Sequence, residues 1–246
     1  MIGRAVGEFW GRIGFAPDSL QRELLGGAGR RVILNCSRQW GKSTVAAARA
    51  VEQAYIRAES LVLILSPSGR QSGELLKKAE GFVRRLGLRP RGDGLNEMSL
   101  QFPNGSRIVG LPGSERTVRG FSAVDLLLVD EASRVEDDLY RAVRPMLAVK
   151  DGDLWLMSTP HGKRGFFHKE WEYGGEEWRR VRAPATECAR IRPAFLEEER
   201  RAQGDRWFRQ EYLCEFVEAE DGVFGWEDIA AAIDHGVEPL ATDGHG

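Results

Sequence analysis

Four short apolar runs punctuate the first two thirds of the chain: Arg31–Leu34, Leu61–Leu65, Leu126–Val129 and Leu154–Met157. None alternates with polar residues, which is how a strand covered on both faces of a parallel sheet reads. The segments between them, Ser43–Arg57, Gln71–Leu86 and Glu136–Leu147, predict helices. Strands alternating with helices predict an α/β fold built on a parallel sheet. SLQFPNGSRIVGL, Ser99–Leu111, differs, because Asn104-Gly105 between two alternating runs predicts an inserted antiparallel hairpin. From Trp178 onward the pattern predicts Arg/Glu-rich helical segments carrying Trp207, Phe208, Tyr212 and Phe216, packed by their near-helical spacing. The tail after Glu218 is acidic, contains glycine and is expected to be loosely held.

Composition narrows the class without naming a function. At 246 residues, 42% hydrophobic and 29% charged, the chain can bury the core of one large domain, with or without an appendage. Its 35 basic and 37 acidic residues leave a net charge of −2, so overall charge announces no nucleic-acid partner. Cys36, Cys188 and Cys214 are odd in number, far apart and without a CxxC pair. That argues for a reducing compartment and against a disulfide frame or zinc site. No apolar run approaches the roughly 18 residues of a membrane span. The opening MIGRAVGEFW is too polar for a signal peptide, so a cytoplasmic location is expected.

Candidate chemistry begins at VILNCSRQWGKSTVAA, Val32–Ala47, an apolar run, a short polar loop ending in Gly-Lys-Ser-Thr, and an alanine-rich helix. A P-loop reads G-x-x-x-x-G-K-[ST], and Cys36 stands where its first glycine belongs. That exchange is tolerable if residue 36 needs no glycine-only backbone. Main-chain N–H groups at the helix start would then face phosphate, Lys42 would reach the outer phosphates and Ser43 would hold Mg2+. The plain alternative is a helix-capping Ser43 beside a solvated Lys42.

LLLVDEAS, Leu126–Ser133, is the second motif, an apolar strand ending in Asp130-Glu131. At the carboxyl edge of the same sheet, Asp130 would complete the Mg2+ shell and Glu131 would polarise the attacking water. Two acids opening a helix are the bland reading. Both motifs in one chain, in this order, predict an Mg2+-dependent ATPase. Arg38, inside the loop, can reach a phosphate or a carboxylate in cis; Arg116 and Arg119 lie in a polar stretch before the acidic strand. The basic clusters Arg84-Arg85 with Arg89 and Arg91, and Arg179-Arg180 with Arg182, read as solvated faces more than as a phosphate-tracking surface. His161, His168 and Cys188 fit no metal-ligand spacing.

These residues carry a family resemblance over nearly the whole chain. The chain resembles the ATPase domain of the large terminase subunit, the packaging motor of tailed phages. That family often lacks the first P-loop glycine and writes Arg-Gln-x-Gly-Lys-[Ser/Thr], as Arg38-Gln39-Trp40-Gly41-Lys42-Ser43 does here. FAPDSLQ, Phe15–Gln21, looks like its adenine-recognising element, with Pro17 setting the turn and Gln21 on the adenine edge. SPSGRQ, Ser66–Gln71, is similar to the segment after the second strand. Ser158-Thr159-Pro160 matches the motif that couples hydrolysis to motion, and WFRQEYLCEF, Trp207–Phe216, the segment leading out of the domain.

The resemblance implies a P-loop NTPase of the additional-strand, catalytic-glutamate type, a mainly parallel sheet flanked by helices with a β-hairpin insertion. Its nucleotide site would comprise Gln21, Ser37, Arg38, Gln39, Trp40, Gly41, Lys42, Ser43 and Thr44. Ser43 and Asp130 would bind Mg2+, while Glu131, Lys42 and Arg38 would act on ATP, joined by Arg119 as a finger between ring neighbours. It also implies double-stranded DNA, self-association into a ring on a portal, and a small terminase subunit as partners. The expected domain is 1–216, with a helical lid or linker from about 178 and a tail at 217–246. The 30 residues after Phe216 leave no room for the nuclease domain of that family, so no nuclease activity is expected. Competing expectations are a helicase-like nucleic-acid-stimulated ATPase, and a nucleotide-gated assembly module that hydrolyses little.

Overall fold

A computed structural model of the chain describes residues 9–27, 29–111, 118 and 120–218. Seven strands form one sheet: β1 (Arg31–Cys36), β2 (Leu61–Leu65), β3 (Ser99–Gln101), β4 (Arg107–Leu111), β5 (Leu126–Asp130), β6 (Asp153–Ser158) and β7 (Trp178–Ala183). Their order is β3-β4-β2-β5-β6-β1-β7, and every pairing except β3 with β4 is parallel. All four predicted apolar runs are strands; β2 has the predicted bounds and the other three extend by a residue or two. β6 lies between β1 and β5, with Asn35 beside Ser158 on one side and Met157 beside Asp130 on the other. The phosphate-loop strand and the acidic strand therefore end at the same edge of the sheet, one strand apart.

Strand alternation divides the core into two layers. Val32, Leu34, Val62, Ile64, Leu126 and Leu128 face one layer; Ile33, Leu63, Leu65, Leu127 and Val129 face the other. On the first side lie α1 (Ser19–Gly26), α2 (Lys42–Ile56) and α3 (Gly69–Arg85). The alanines of α2 (Ala46, Ala47, Ala48, Ala50 and Ala54) are fully buried, since only small side chains let a helix lie this close to a sheet. The second side is covered by α4 (Asp137–Val143), a 3-10 turn (Arg144–Leu147) and α5 (Gly165–Tyr173). A small third cluster joins α6 (Pro193–Gln203) and α7 (Asp205–Glu211) through Leu196, Phe208 and Tyr212.

The predicted hairpin is present, and Phe102 N donates to Ser106 O at 2.9 Å across its turn. Gly105 there has φ +84, and Asn104 Nδ2 donates to Ala54 O at 2.9 Å, tying the turn to the end of α2. Because β4 also pairs with β2, the hairpin widens the main sheet.

Two sequence expectations need correction, and one helix lies outside them. Trp178–Ala183 is an edge strand, not part of a helical region. Trp178, Val181 and Ala183 are buried while Arg179, Arg180 and Arg182 stay at least partly exposed, so the arginines hide the strand from a hydropathy reading. The helix expected over Glu136–Leu147 stops as an α-helix at Val143, because Pro145 has no N–H to donate to the carbonyl of Arg141. Helix α5 was not anticipated at all.

Candidate active site

The loop after β1 begins with Cys36 still in the strand, paired with Ala183 of β7, fully buried and outside the positive-φ residues. An extended residue needs no glycine, which is the physical reason the missing first glycine does no harm. Burial pushes the Cys36 thiol up to about 12, so it stays protonated at neutral pH. The glycine requirement falls on Gly41, which precedes α2 with φ +100; a Cβ there would also sit 3.1 Å from Gln21 Nε2. Gln39 is left-handed as well, at φ +61.

Braces from three elements fix the loop. Ser37 N donates to Ala183 O at 2.9 Å and Arg38 N to Glu211 O at 3.0 Å. The carbonyl of Trp40 accepts from Gln21 Nε2 at 3.0 Å and from Arg190 Nη2 at 2.6 Å, and Arg190 is itself held by Asp18 at 2.9 Å. Gln21 Oε1 accepts from Asp18 N at 3.2 Å, completing the capping box of α1. Gln21 is buried with both ends of its amide engaged, and the Trp40 indole lies in the core.

Opposite the loop, Asp130 ends β5 and Glu131 follows in a left-handed conformation, φ +51, that a non-glycine residue adopts only under constraint. Lys42 Nζ is hydrogen-bonded to Glu131 Oε1 and lies 3.4 Å from Asp130 Oδ1. Burial disfavours the Lys42 charge, but Asp130 and Glu131 outweigh it and hold the ammonium above its ordinary pKa. Burial raises the Asp130 carboxyl, against the pull of Lys42. Its buried Oδ1 is met only by Lys42 at 3.4 Å, too long for a good hydrogen bond, and among the described residues the buried hydroxyl of Ser37 has no hydrogen-bond partner. Orphaned oxygens of this kind are uncommon and mark places where a ligand completes the set.

A cleft of about 430 Å3 opens between these elements, lined by Ser37–Gln39, Gly41–Ser43, Glu131 and Thr159, and closed by Gln71 and Lys78 of α3 and Arg134. A lobe of about 200 Å3 continues past Ser43, Asp130 and Glu131 under Arg70, Gln71 and Lys78. Gln21, Trp40 and Thr44 of the expected nucleotide set are not among the lining residues. A larger hollow of about 580 Å3, lined by His161, Arg164, Trp207 and Gln210, holds none of the expected residues. The smaller cleft is the site because strand ends, helix N-terminus and acid pair converge there.

Arg38 is tied down. Its Nε donates to Glu211 Oε2 at 2.7 Å, and its guanidinium lies 5.4 Å from the Trp207 ring centroid. Glu211 is 1% exposed and also meets Arg134 Nη2 at 3.5 Å. Ser158, at the end of β6, shares a 2.7 Å hydrogen bond with Ser133, just after the acid pair. Thr159 lines the cleft, and beyond Pro160 the N–H of Gly162 donates to Gln210 Oε1 of α7 at 3.2 Å. Arg116 and Arg119 lie outside the described residues.

Sequence reading missed Glu211, Arg134, Arg190, Lys78 and the cleft position of Gln71. Only Arg134 carried a local signal, its place right after Asp130-Glu131. The second basic cluster is a solvated face, as read, but its arginines are also tethered: Arg179 reaches Glu23 O, Arg180 reaches Trp171 O and Gly175 O, and Arg182 reaches Leu213 O. Among the described residues no group of three or more His, Cys, Asp or Glu can hold a metal ion, and no helix is long and apolar enough to cross a membrane.

A parallel sheet with one strand between the phosphate-loop strand and the acidic strand, a glycine-opened helix after the first and paired acids after the second, defines a P-loop NTPase of the additional-strand type. Within that class the chain belongs to the terminase large-subunit family: residues 33–231 match the model of the T4likevirus-type N-terminal region. The large subunit of Thermus virus P23-45 is 25% identical over 261 residues, covering 92% of this chain and 54% of its own length. That of Escherichia phage T5 is 25% identical over 213 residues, covering 83% and 48%. The chain thus spans about half the length of these curated relatives. The Thermus phage P74-26 large terminase ATPase domain superposes with a TM-score of 0.75 at 22% identity, over 85% of this chain and 98% of that one. A large terminase from a thermophilic bacteriophage, solved in complex with ADP, gives 0.70 at 13% identity, over 81% and 53%. At these identities the structural likeness speaks for the fold.

Proposed function

We propose that this chain is the ATP-hydrolysing motor domain of a phage DNA-packaging terminase. The observation that carries the reading is the Lys42 ammonium held between Asp130 and Glu131 where β1 and β5 end at one edge of the sheet. Family membership supplies the context. Residues 1–216 are the motor unit in this reading, with the segment from about 178 as its lid or linker.

The chain's own groups divide the work. The main-chain N–H groups opening α2, together with Lys42, hold the phosphates, and the braces on Trp40 O keep that loop from reorganising when charge arrives. Ser43 and Asp130 would hold Mg2+; both offer the hard oxygen donors that ion takes, and Asp130 Oδ1 is engaged only by the long 3.4 Å contact of Lys42. Glu131 accepts a proton from the attacking water at its carboxylate once Lys42 turns from it to phosphate. Mg-ATP, when bound, supplies the transferable phosphoryl group and the cation that neutralises it. Ser158 and Thr159 carry the change of state from Ser133 toward α7 through the Gly162–Gln210 bond. Arg38 assists in cis, and Arg119 reaches a neighbouring chain's site in a ring. The partners of that ring are double-stranded DNA, a portal and a small terminase subunit, in the host cytoplasm. No nuclease activity is assigned to these residues.

The test is steady-state ATP hydrolysis with Mg2+ across a wide range of protein concentration, for wild type and Lys42→Ala. Mg2+-dependent turnover that climbs with concentration and vanishes in the variant is expected. Concentration-independent turnover would remove the role of Arg119 and leave a self-sufficient site. Equal activity in Lys42→Ala would refute the site.

A further inference from the structure

Among the described residues, four cations line the main cleft, and three of them are committed. Lys42 is shared by Asp130 and Glu131, and Arg38 and Arg134 converge on Glu211. Lys78 is the fourth. It lies seven residues after Gln71 on the same face of α3, and these two line both the main cleft and its lobe beside Asp130. The nearest acid on its helix, Glu74, is taken by Lys77 at 2.8 Å. Among the described residues Lys78 therefore makes no ion pair.

Direction matters as much as freedom. Helix α3 starts just beyond the carboxyl end of β2, capped by Ser68, so its N-terminus lies at the edge of the sheet that holds the site. Long side chains on a helix lean toward its N-terminus, which carries the Lys78 ammonium back toward that edge. Glu131 lines the same two hollows. A carboxylate that activates water must face the phosphate under attack, so a cation in contact with the same space faces that phosphate too. A compact ammonium with three donors can meet it without breaking an existing pair, unlike Lys42, Arg38 or Arg134.

We infer that Lys78 contacts the outermost phosphate of a nucleoside triphosphate seated on the Lys42 loop, and so sets the preference for triphosphate over diphosphate. This rests on the nucleotide-binding reading given above. Calorimetric titrations of ADP and of ATPγS, both with Mg2+, into wild type, Lys78→Ala, Lys78→Arg and Lys77→Ala test it. Lys78→Ala is expected to weaken ATPγS about tenfold or more and ADP less than about twofold, as losing one charge-assisted contact predicts. Lys78→Arg should restore most of the difference, and Lys77→Ala, one residue away but spent on Glu74, should change neither affinity. Equal losses on both nucleotides, or an unchanged ATPγS affinity in Lys78→Ala, would overturn the role of Lys78 while leaving the site intact. A wild-type protein that binds neither nucleotide would overturn the nucleotide-binding reading and this inference with it.

Discussion

At the amino edge of the sheet charges are paired off. Arg30 meets Asp151, Arg49 bridges Glu52 and Asp153, and Asp125 accepts from both Leu61 N and Lys150 Nζ at 2.8 Å. At the carboxyl edge the accounting stays open. Among the described residues, Asn35 Oδ1, Ser37 Oγ and Ser66 Oγ are buried there without a hydrogen-bond partner, Asp130 Oδ1 is met only at 3.4 Å by Lys42, and Lys78 faces the cleft without an ion pair. Both edges belong to one sheet, and the same strands supply them. Folding alone favours satisfying every buried polar group, so an edge that leaves several unsatisfied is held in readiness for something else. Apart from the Trp155 indole N–H, buried without a partner in the core, polar satisfaction separates scaffold from site here more sharply than charge density does.

The largest expected break in that contrast comes from Glu131→Gln. The variant keeps the shape of the acid but removes the proton acceptor, so turnover should fall about a hundredfold or more, the scale of general-base catalysis. Nucleotide affinity should survive, because the phosphates rest on Lys42 and the loop. Parallel measurement of hydrolysis and of nucleotide binding decides it, and unchanged turnover would remove Glu131 from the chemistry. At the opposite edge, Asp125→Ala should do the reverse. Losing the acceptor for the buried Leu61 N–H should cost about 1–3 kcal/mol of stability in denaturant unfolding. Triphosphate affinity should not move, since Asp125 lies at the far ends of the strands.

Between the two edges in character stands Glu211, a scaffold residue that touches the site. Its buried carboxylate holds Arg38 and Arg134, yet both guanidinium groups keep enough exposure to be rehydrated. Glu211→Gln should therefore cost about 1 kcal/mol, well under the full penalty of a broken buried pair. A loss of several kcal/mol by denaturant unfolding would mean that the pair behaves as fully buried, and would assign Glu211 to the scaffold alone.

How much of this was legible in the sequence follows the same division. Buried strands announce themselves because a two-sided apolar environment leaves only one composition open to them; β1, β2, β5 and β6 could all be read, and with them the loop and the acid pair at their ends. Strand β7 could not, since Arg179, Arg180 and Arg182 reach main-chain carbonyls that only the folded chain brings within range. Glu211 reaches Arg38 across 173 positions, and no local period encodes such a contact. Gln21 was expected on the adenine edge; the structure shows its amide divided between Trp40 O and Asp18 N, a support for the loop that spacing could not reveal.

The smallest expected effect is a dependence of stability on pH arising beside the cleft. His161 follows Pro160 and shares a 2.7 Å contact with Arg164. Burial, then the nearby charges of Arg134 and Arg164, hold its pKa below the ordinary 6.5, with Glu211 pulling weakly the other way. A base whose pKa is lower when folded binds more protons when unfolded, so unfolding free energy rises with pH across that interval. Stability should thus be complete above about 6.5, decline as the pH falls through it, and level off below the depressed folded value. His168 is shifted in the same direction, by burial first, and adds to the slope. His161→Gln should flatten the curve of melting temperature against pH between 7.5 and 5.5, by less than Asp125→Ala lowers it at any one pH. A slope unchanged by that substitution would mean that His161 is as free to ionise in the folded chain as in the unfolded one. The charges of Arg134 and Arg164 would then not reach His161 in the loop after β6.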